Sequence, residues 1–286
     1  AFAAAQSGGI VEEDYAVLKL AGEAYIDYSM ASRTLLFDIR DKNWSKELTQ
    51  LFGIPTEKLG KPVRAGTPVG TIRRELAEEL NLNRDVCIVV GAHDHICNAI
   101  GSGIYREGEC ADTVGTTEGL TAIIKEHQLR AEAIEKYQIS CEPFVEDGLF
   151  NTVAWQNTSG VMLKWFVQQF GGREVRANIS DTFLDLNKKI QEKPTSLLVL
   201  PHFSGAATPY TDPESKGAIL GLTLQTEREE LYKALMEGAN YEVKLIMDSL
   251  KKSGVEVKRM AAAGGALSPE LLQIKADILG MEIEMA

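Results

Sequence analysis

An α/β fold is what this chain's pattern predicts, and three observations carry the prediction. Apolar runs of strand length alternate with stretches of helical spacing along the chain. One such run sits in Val86-Cys-Ile-Val-Val-Gly-Ala-His-Asp-His95 and delivers a carboxylate, Asp94, to the mouth of a helix. Another, Val257–Ala263, runs through paired glycines into Ala263-Gly-Gly-Ala-Leu-Ser-Pro269 and a second helix start.

Each element is justified by its own spacing. Glu12 to Leu20 carries Val11, Tyr15 and Leu18 at helical intervals and ends near Gly22. Tyr25 to Asp38 mixes Asp, Ser and Arg with apolar residues and has no clean period. Trp44 to Phe52 reads as a short amphipathic helix closed by Gly53-Ile-Pro55; Gly66 to Gly70 reads as a loop and Ile72 to Leu80 as a helix. Val86 to Val90 is apolar throughout, the pattern of a buried parallel strand. Ile96 to Ile104 alternates small and apolar residues, suiting a helix packed closely on a sheet. Asp112 to Lys125 reads strand, turn, strand, and Val161 to Phe170 helix. Ser196 to Leu200 reads as a buried strand, Glu229 to Lys252 as a long helix, Val257 to Ala263 as a strand and Pro269 to Leu279 as a helix.

Length and composition narrow the function classes. A chain of 286 residues has room for two cores. Its formal net charge of -11 argues against a nucleic-acid surface, which would concentrate Lys and Arg. No apolar run approaches ~18 residues, so no membrane span is expected, and no charged-then-apolar secretory start is present. Cys87, Cys97, Cys110 and Cys141 lack CxxC spacing and read as reduced, apolar-packed thiols of a cytoplasmic protein. The first residues, Ala1 to Gly9, lack a Met, and Met281 to Ala286 reads as a closing strand; both ends suggest a fragment of a longer protein.

Three motifs carry chemistry. Asp94, at the end of a strand, stands where α/β proteins place reacting groups and could accept a hydroxyl proton in phosphoryl transfer. Aspartate is equally a favoured helix N-cap, and the two roles are compatible. Gly115-Thr-Thr-Glu-Gly119 offers glycines that let a ligand approach the backbone, and two threonine hydroxyls, although a plain hairpin turn has the same composition. In the third motif Ser268 is an N-cap with Pro269 at the first helical position, so strand, glycine turn and exposed amides meet as they do at nucleotide sites. Tight strand–helix packing alone would use the same residues, and the segment is neither a Walker A loop nor GxGxxG. Together the motifs point to ATP-dependent phosphoryl transfer onto a small molecule. His93 and His95 flank Asp94 as an HxH pair, the seed of a rival metal-hydrolase reading, but His127 and His202 are the only other histidines.

The ordered set of segments resembles the FGGY carbohydrate kinases, a family that includes xylulokinases, fuculokinases, gluconate kinases and glycerol kinases. Tyr28-Ser-Met-Ala-Ser-Arg-Thr-Leu-Leu-Phe-Asp38 is similar to their Ser/Thr-Asn-Ala-Ser-x-Thr-x-Leu-Phe-Asp segment. Gly91-Ala-His-Asp94 is similar to their Gly-x-x-Asp, and Thr113-Val-Gly-Thr-Thr117 to their interdomain phosphate turn. Thr208 to Pro213 with Gly217 to Thr223 resembles the segment before their long helix, and Gly264-Gly-Ala266 with Gln273 to Asp277 resembles the adenosine segment.

The resemblance implies the actin-like ATPase fold of two ribonuclease-H-like domains, both incomplete in this chain. Residues 1–111 would be the C-terminal part of a sugar-binding N-terminal domain, and 112–286 most of an ATP-binding C-terminal domain. It implies ATP and Mg²⁺ as cofactors, with MgATP in the interdomain cleft, a small-molecule sugar or polyol as substrate, no nucleic acid or membrane partner, and a cytoplasmic setting compatible with a homodimer. Asp94 matches the catalytic base and a ligand of Mg²⁺ through water, and His95 a substrate-facing position. Gly115, Thr116 and Thr117 match the ATP phosphate site, while Gly264, Gly265 and Ala266 match the adenosine site. The family's Asp-x-Gly-Thr phosphate hairpin and its C-terminal helices have no counterpart here; Ala263 replaces a third glycine and Leu235 departs from the long helix's pattern. The fragment is therefore expected not to turn over at a useful rate. A non-catalytic sugar- or nucleotide-binding regulator is the alternative on the same fold.

Overall fold

The computed structural model describes residues 12–125, 128, 131–170 and 179–286, so Val11 and His127 lie outside the described residues. The chain divides into two compact units: the first reaches Cys97 and takes in Glu142–Asn151, and the second holds Asn98–Cys141 and Thr152–Ala286.

The first unit runs α1 (Glu12–Ala21), β1 (Tyr25–Asp27), α2 (Tyr28–Ser32), β2 (Phe37–Asp38), β3 (Asn43–Trp44), α3 (Lys46–Leu51), β4 (Lys61–Val63), β5 (Pro68–Thr71), α4 (Arg74–Glu79) and β6 (Cys87–Val89). α1 opens with Glu12, Glu13 and Asp14, carboxylates at the positive end of the helix dipole. The segment without a clean period, Tyr25 to Asp38, is two strands around one helical turn. Asp27 starts that turn by accepting the amide protons of Ser29 and Met30. Ile26, Ala31 and Phe37 form its buried core, and Phe37 stacks on Tyr28 and meets Trp44 edge-on.

Two expectations need correction here. Gly66 to Gly70 is not wholly loop: β5 begins at Pro68 and pairs with β6, with a register shift between Pro68 and Gly70 where φ is positive. The run Val86 to Val90 is not a buried parallel strand. β6 is antiparallel to β5, and Cys87 and Val89 are exposed while Ile88 packs with Ile72 and Ala77. With one packed face, an apolar run still alternates in and out. The free thiols of Cys87 and of Cys97, on the next helix, are likewise exposed rather than packed, while Cys110 is buried.

α5 (Asp94–Gly101) leads into the second unit: β7 (Glu109–Val114), β8 (Glu118–Lys125), α6 (Ala131–Tyr137), β9 (Ser140–Pro143), β10 (Leu149–Gln156), α7 (Gly160–Phe170), α8 (Ile179–Lys188), β11 (Leu198–Leu200), β12 (Ala218–Leu220), α9 (Arg228–Lys252), β13 (Arg259–Ala263), α10 (Pro269–Leu279) and β14 (Ile283–Met285). Its six-stranded mixed sheet has the order β14-β13-β7-β8-β10-β9, with β13 parallel to β7 and to β14 and β8 antiparallel to β7. β8 is buried on both faces for seven of its eight residues, as a central strand must be. Leu198 and Leu200 correct another expectation: β11 pairs only with β12 and leaves both leucines exposed, while Val199 turns inward.

The 25-residue α9 is the unit's spine. Leu235, Ala239, Val243 and Ile246 recur at helical spacing and are buried, and Lys251 and Lys252 close the negative end. Gly238 lets it approach β11, since a Cβ there would fall within 2.8 Å of Val199. Phe166, Met162 and Val167 of α7 and Leu186 of α8 complete this core. No helix among the described residues is long and apolar enough to cross a membrane.

Candidate active site

In the second unit a cavity of about 740 Å³ lies where three backbone turns meet. The first turn joins β7 to β8, with the Gly115 amide donating to the Thr117 carbonyl at 2.9 Å. The second is the start of α7: Gly160 donates to the Gly115 carbonyl at 3.0 Å and Val161 to the Thr116 carbonyl at 3.2 Å. The third follows β13, where Ala266 donates to the Val114 carbonyl at 3.1 Å.

Only glycine allows this convergence. A Cβ on Gly160 would fall 2.6 Å from the Gly115 carbonyl oxygen, and one on Gly264, whose φ is +133°, would collide with the Val114 backbone. Ser268 caps α10 by accepting the Leu271 amide proton at 3.2 Å with Pro269 in the first turn, as the spacing predicts.

Gly115, Thr116, Gly265 and Ala266 line the cavity; Thr117 and Gly264 do not. Thr117 is exposed, and Gly264 serves the turn's geometry instead. Sequence reasoning missed the opposite wall. Leu163, Phe183, Tyr232 and Met236 make it apolar, and Asn187 and Ser180 add polar points. The Tyr232 hydroxyl donates to Asn187 Oδ1 at 2.9 Å and fixes the amide's orientation. A signal for part of this wall was present: Thr158-Ser-Gly160 directly before an apolar helix is a cap-like start. The residues fit a nucleotide: an apolar wall for a flat base, small-residue turns with exposed amides, and Lys164 for negative charge. They offer no carboxylate to a metal in the cavity lining, and Asp112, beside the turn, is engaged by Lys275.

In the first unit the Gly91–His95 segment presents Asp94 as the first residue of α5. Its side chain is 87% exposed. Asp94 Oδ1 accepts the His95 amide proton at 2.8 Å and stands 3.4 Å from His93 Nε2, so the carboxylate is otherwise open. The His93 and His95 rings stack with centroids 5.1 Å apart. Burial lowers both pKa values, with the nearby Arg33 charge acting in the same direction, and favours neutral rings. Among the described residues no group of three or more His, Cys, Asp or Glu could hold a metal ion.

Behind Asp94 lies a buried relay that the sequence did not reveal. The His93 amide donates to Ser29 Oγ at 2.9 Å, and Ser29 Oγ donates to Asp27 Oδ2 at 2.7 Å. The Asp27 amide in turn donates to Glu13 Oε2 at 3.0 Å. Burial pushes Glu13 up to about 7 and raises Asp27 as well, and their mutual repulsion adds to the Glu13 effect.

Comparison with known proteins gives the chain its family and its fold. The chain is 26% identical over 277 residues to the xylulose kinase of Lactococcus lactis, covering 96% of this chain and 53% of the relative. It is 29% identical over 275 residues to a glycerol kinase of Bacillus licheniformis, covering 92% and 52%. Thus the chain spans about half the length of the curated relatives it matches. Among solved structures, a ligand-bound xylulose kinase from Lactobacillus acidophilus superposes with a TM-score of 0.83 at 23% identity, covering 96% of this chain and 55% of that one. Plasmodium falciparum glycerol kinase with ADP gives a TM-score of 0.79 at 23% identity, covering 95% and 53%. These likenesses establish the actin-like ATPase fold. The model of the FGGY family of carbohydrate kinases matches residues 2–101 with its N-terminal domain and residues 111–286 with its C-terminal domain, and the chain belongs to that family.

Proposed function

We propose that the protein containing this chain transfers the γ-phosphoryl group of ATP to a hydroxyl of a sugar or polyol. The observation that carries this reading is the cavity of the second unit, where the glycine turns Gly115–Thr117 and Gly264–Ala266 meet beside an apolar wall. ATP would rest its phosphates on the amides near Gly115 and Thr116 and its adenosine against Gly265 and Ala266. Asp94 takes the proton of the attacking hydroxyl, whose oxygen then bonds to the γ-phosphorus as the bond to the ADP oxygen breaks. Mg²⁺, when bound, neutralises phosphate charge; Asp94 is the candidate to hold it through water. His95 would face the sugar. In this reading residues 1–111 serve the sugar and 112–286 the nucleotide, in a cytoplasmic enzyme.

The test is ADP release by the intact protein across ketoses, sugar acids and polyols, run beside Asp94→Asn. One substrate stands out, and the variant loses roughly 10²- to 10⁴-fold in kcat while nucleotide affinity holds. A variant as active as its parent removes Asp94 as the base. Nucleotide binding without turnover on any substrate moves the reading to a regulator on the same fold.

A further inference from the structure

Five buried side chains behind the nucleotide cavity form one connected network, and none of them lines the cavity. Lys275 Nζ, fully buried on α10, donates to the Asp112 carboxylate and to Glu118 Oε1, the latter at 2.6 Å. Glu118 Oε2 accepts from Ser159 Oγ at 2.7 Å and from Gln156 Nε2 at 2.8 Å. All five residues are at most 3% exposed.

Their positions in the chain give the network its meaning. Asp112 and Glu118 bracket the Gly115–Thr117 turn, one on β7 and the other on β8. Ser159 directly precedes Gly160, whose amide closes onto Gly115. Lys275 lies on the helix whose start carries Gly265, Ala266 and Ser268. The three backbone pieces that make the cavity therefore converge on a single ammonium group. A buried ion cluster is a poor source of stability, because well-packed apolar side chains of the same volume often serve as well or better. What a directional donor with fixed partners supplies, and an apolar cluster does not, is the relative placement of the pieces it joins.

We propose that Lys275 is a positioning residue for the nucleotide: through Asp112, Glu118 and Ser159 it sets the spacing of the three turns that receive ATP. This rests on the reading that the second-unit cavity takes ATP. A misplacement of such turns by a fraction of an ångström weakens binding without touching the ligand.

The experiment is calorimetric titration of the intact protein with ADP, together with steady-state kinetics at varied ATP. The variants are Lys275→Met, Ser159→Ala and, as control, Lys233→Met. Lys233 is another buried ammonium, bonded to the carbonyls of Gln191, Glu192 and Lys193 and 3.5 Å from Glu237 Oε1, and does not line this cavity. Lys275→Met raises the ADP Kd and the ATP KM by about tenfold or more, with kcat changed by less than about threefold. Ser159→Ala raises both by about threefold, the effect of one hydrogen bond. Lys233→Met lowers the melting temperature and leaves the ADP Kd within about twofold. A folded Lys275→Met with parental ADP affinity overturns the proposal, as does a Lys233→Met that weakens ADP equally. If Lys275→Met does not fold, Ser159→Ala decides by the same criterion. A parent that binds neither ADP nor ATP sinks the nucleotide reading and the proposal with it; a binding parent with unchanged variants sinks the proposal alone.

Discussion

Each compact unit places a pair of carboxylates behind its site residues, one of them half-buried in the first unit and both buried in the second, and the two pairs are held in different ways. In the first unit Glu13 and Asp27 are satisfied by dipoles: Asp27 takes the amides of Ser29 and Met30 and the Ser29 hydroxyl, and among the described residues no lysine or arginine pairs with either carboxyl. In the second unit Asp112 and Glu118 share the ammonium of Lys275. The first solution is local and arranges one turn of helix next to the Gly91–Asp94 segment. The second spans 163 residues of sequence between Asp112 and Lys275 and arranges three turns at once. The amides that Asp27 accepts come from its own turn, whereas the Lys275 cluster joins pieces far apart in the chain.

The comparison is broken most forcefully by removing the cation. Lys275→Met leaves two carboxylates buried and unpaired, and the loss of one partner from such a cluster costs about 3–5 kcal/mol. Urea unfolding of parent and variant reads this directly. A loss below about 1 kcal/mol would mean that Asp112 and Glu118 tolerate burial as readily as Glu13 and Asp27 do, and the distinction would fail.

The pH dependence sharpens the contrast next. Burial pushes Asp112 up to about 7, with the Glu118 charge adding and the Lys275 charge opposing. Glu13 rises to about 7 as well. A carboxyl whose folded pKa exceeds its unfolded one binds more protons in the native state between those values. Stability from both groups is therefore full below about 4 and lost as pH rises toward 7. His93 and His95, lowered by burial, act in the opposite sense and withdraw stability as pH falls below their unfolded value. Differences between variants separate these contributions. Asp112→Asn should flatten the fall in melting temperature between pH 5 and pH 7 more than Glu13→Gln does, because Glu13 is half-buried and better screened. Equal slopes in Asp112→Asn and parent would show that Asp112 does not titrate there.

How much of this was legible in the sequence follows the same division between local and distant. Ser268 with Pro269, the paired glycines and the placement of Asp94 at a helix start are statements about neighbouring residues; the structure starts one helix at Pro269 behind Ser268 as read, and the other at Asp94 itself rather than at His95 or Ile96. Lys275 entered only as a member of the Gln273–Asp277 segment, and its burial was not legible, because a lysine in a helical stretch reads as a solvated one until its partners from β7 and β8 are known. The cavity's apolar wall was missed for another reason: Phe183, Leu186 and Ile190 recur at helical spacing and mark α8 as amphipathic, but spacing alone does not say which cavity such a face lines. Cys87 and Val89 were misplaced because an unbroken apolar run does not say how many of its faces are covered. The family resemblance rested on local motifs and so survived these errors.

The smallest expected effect tests whether the dipole-held pair does anything for Asp94. Ser29 is fully buried, donates to Asp27 Oδ2 and accepts the His93 amide proton, one residue before Asp94. Ser29→Ala removes both bonds and leaves the His93 amide without its partner, which costs about 1–2 kcal/mol by urea unfolding. If the relay merely fills space, the loss of stability is the whole effect. If it holds the Gly91–Asp94 segment in place, kcat with the best sugar should fall by about threefold to tenfold while the ATP KM stays at the parental value. Ser29→Thr keeps the hydroxyl and should restore kcat toward the parent if its methyl is accommodated. An unchanged kcat in Ser29→Ala would confine the first unit's carboxylates to folding, and leave Lys275 as the one buried charge in the comparison that reaches the chemistry.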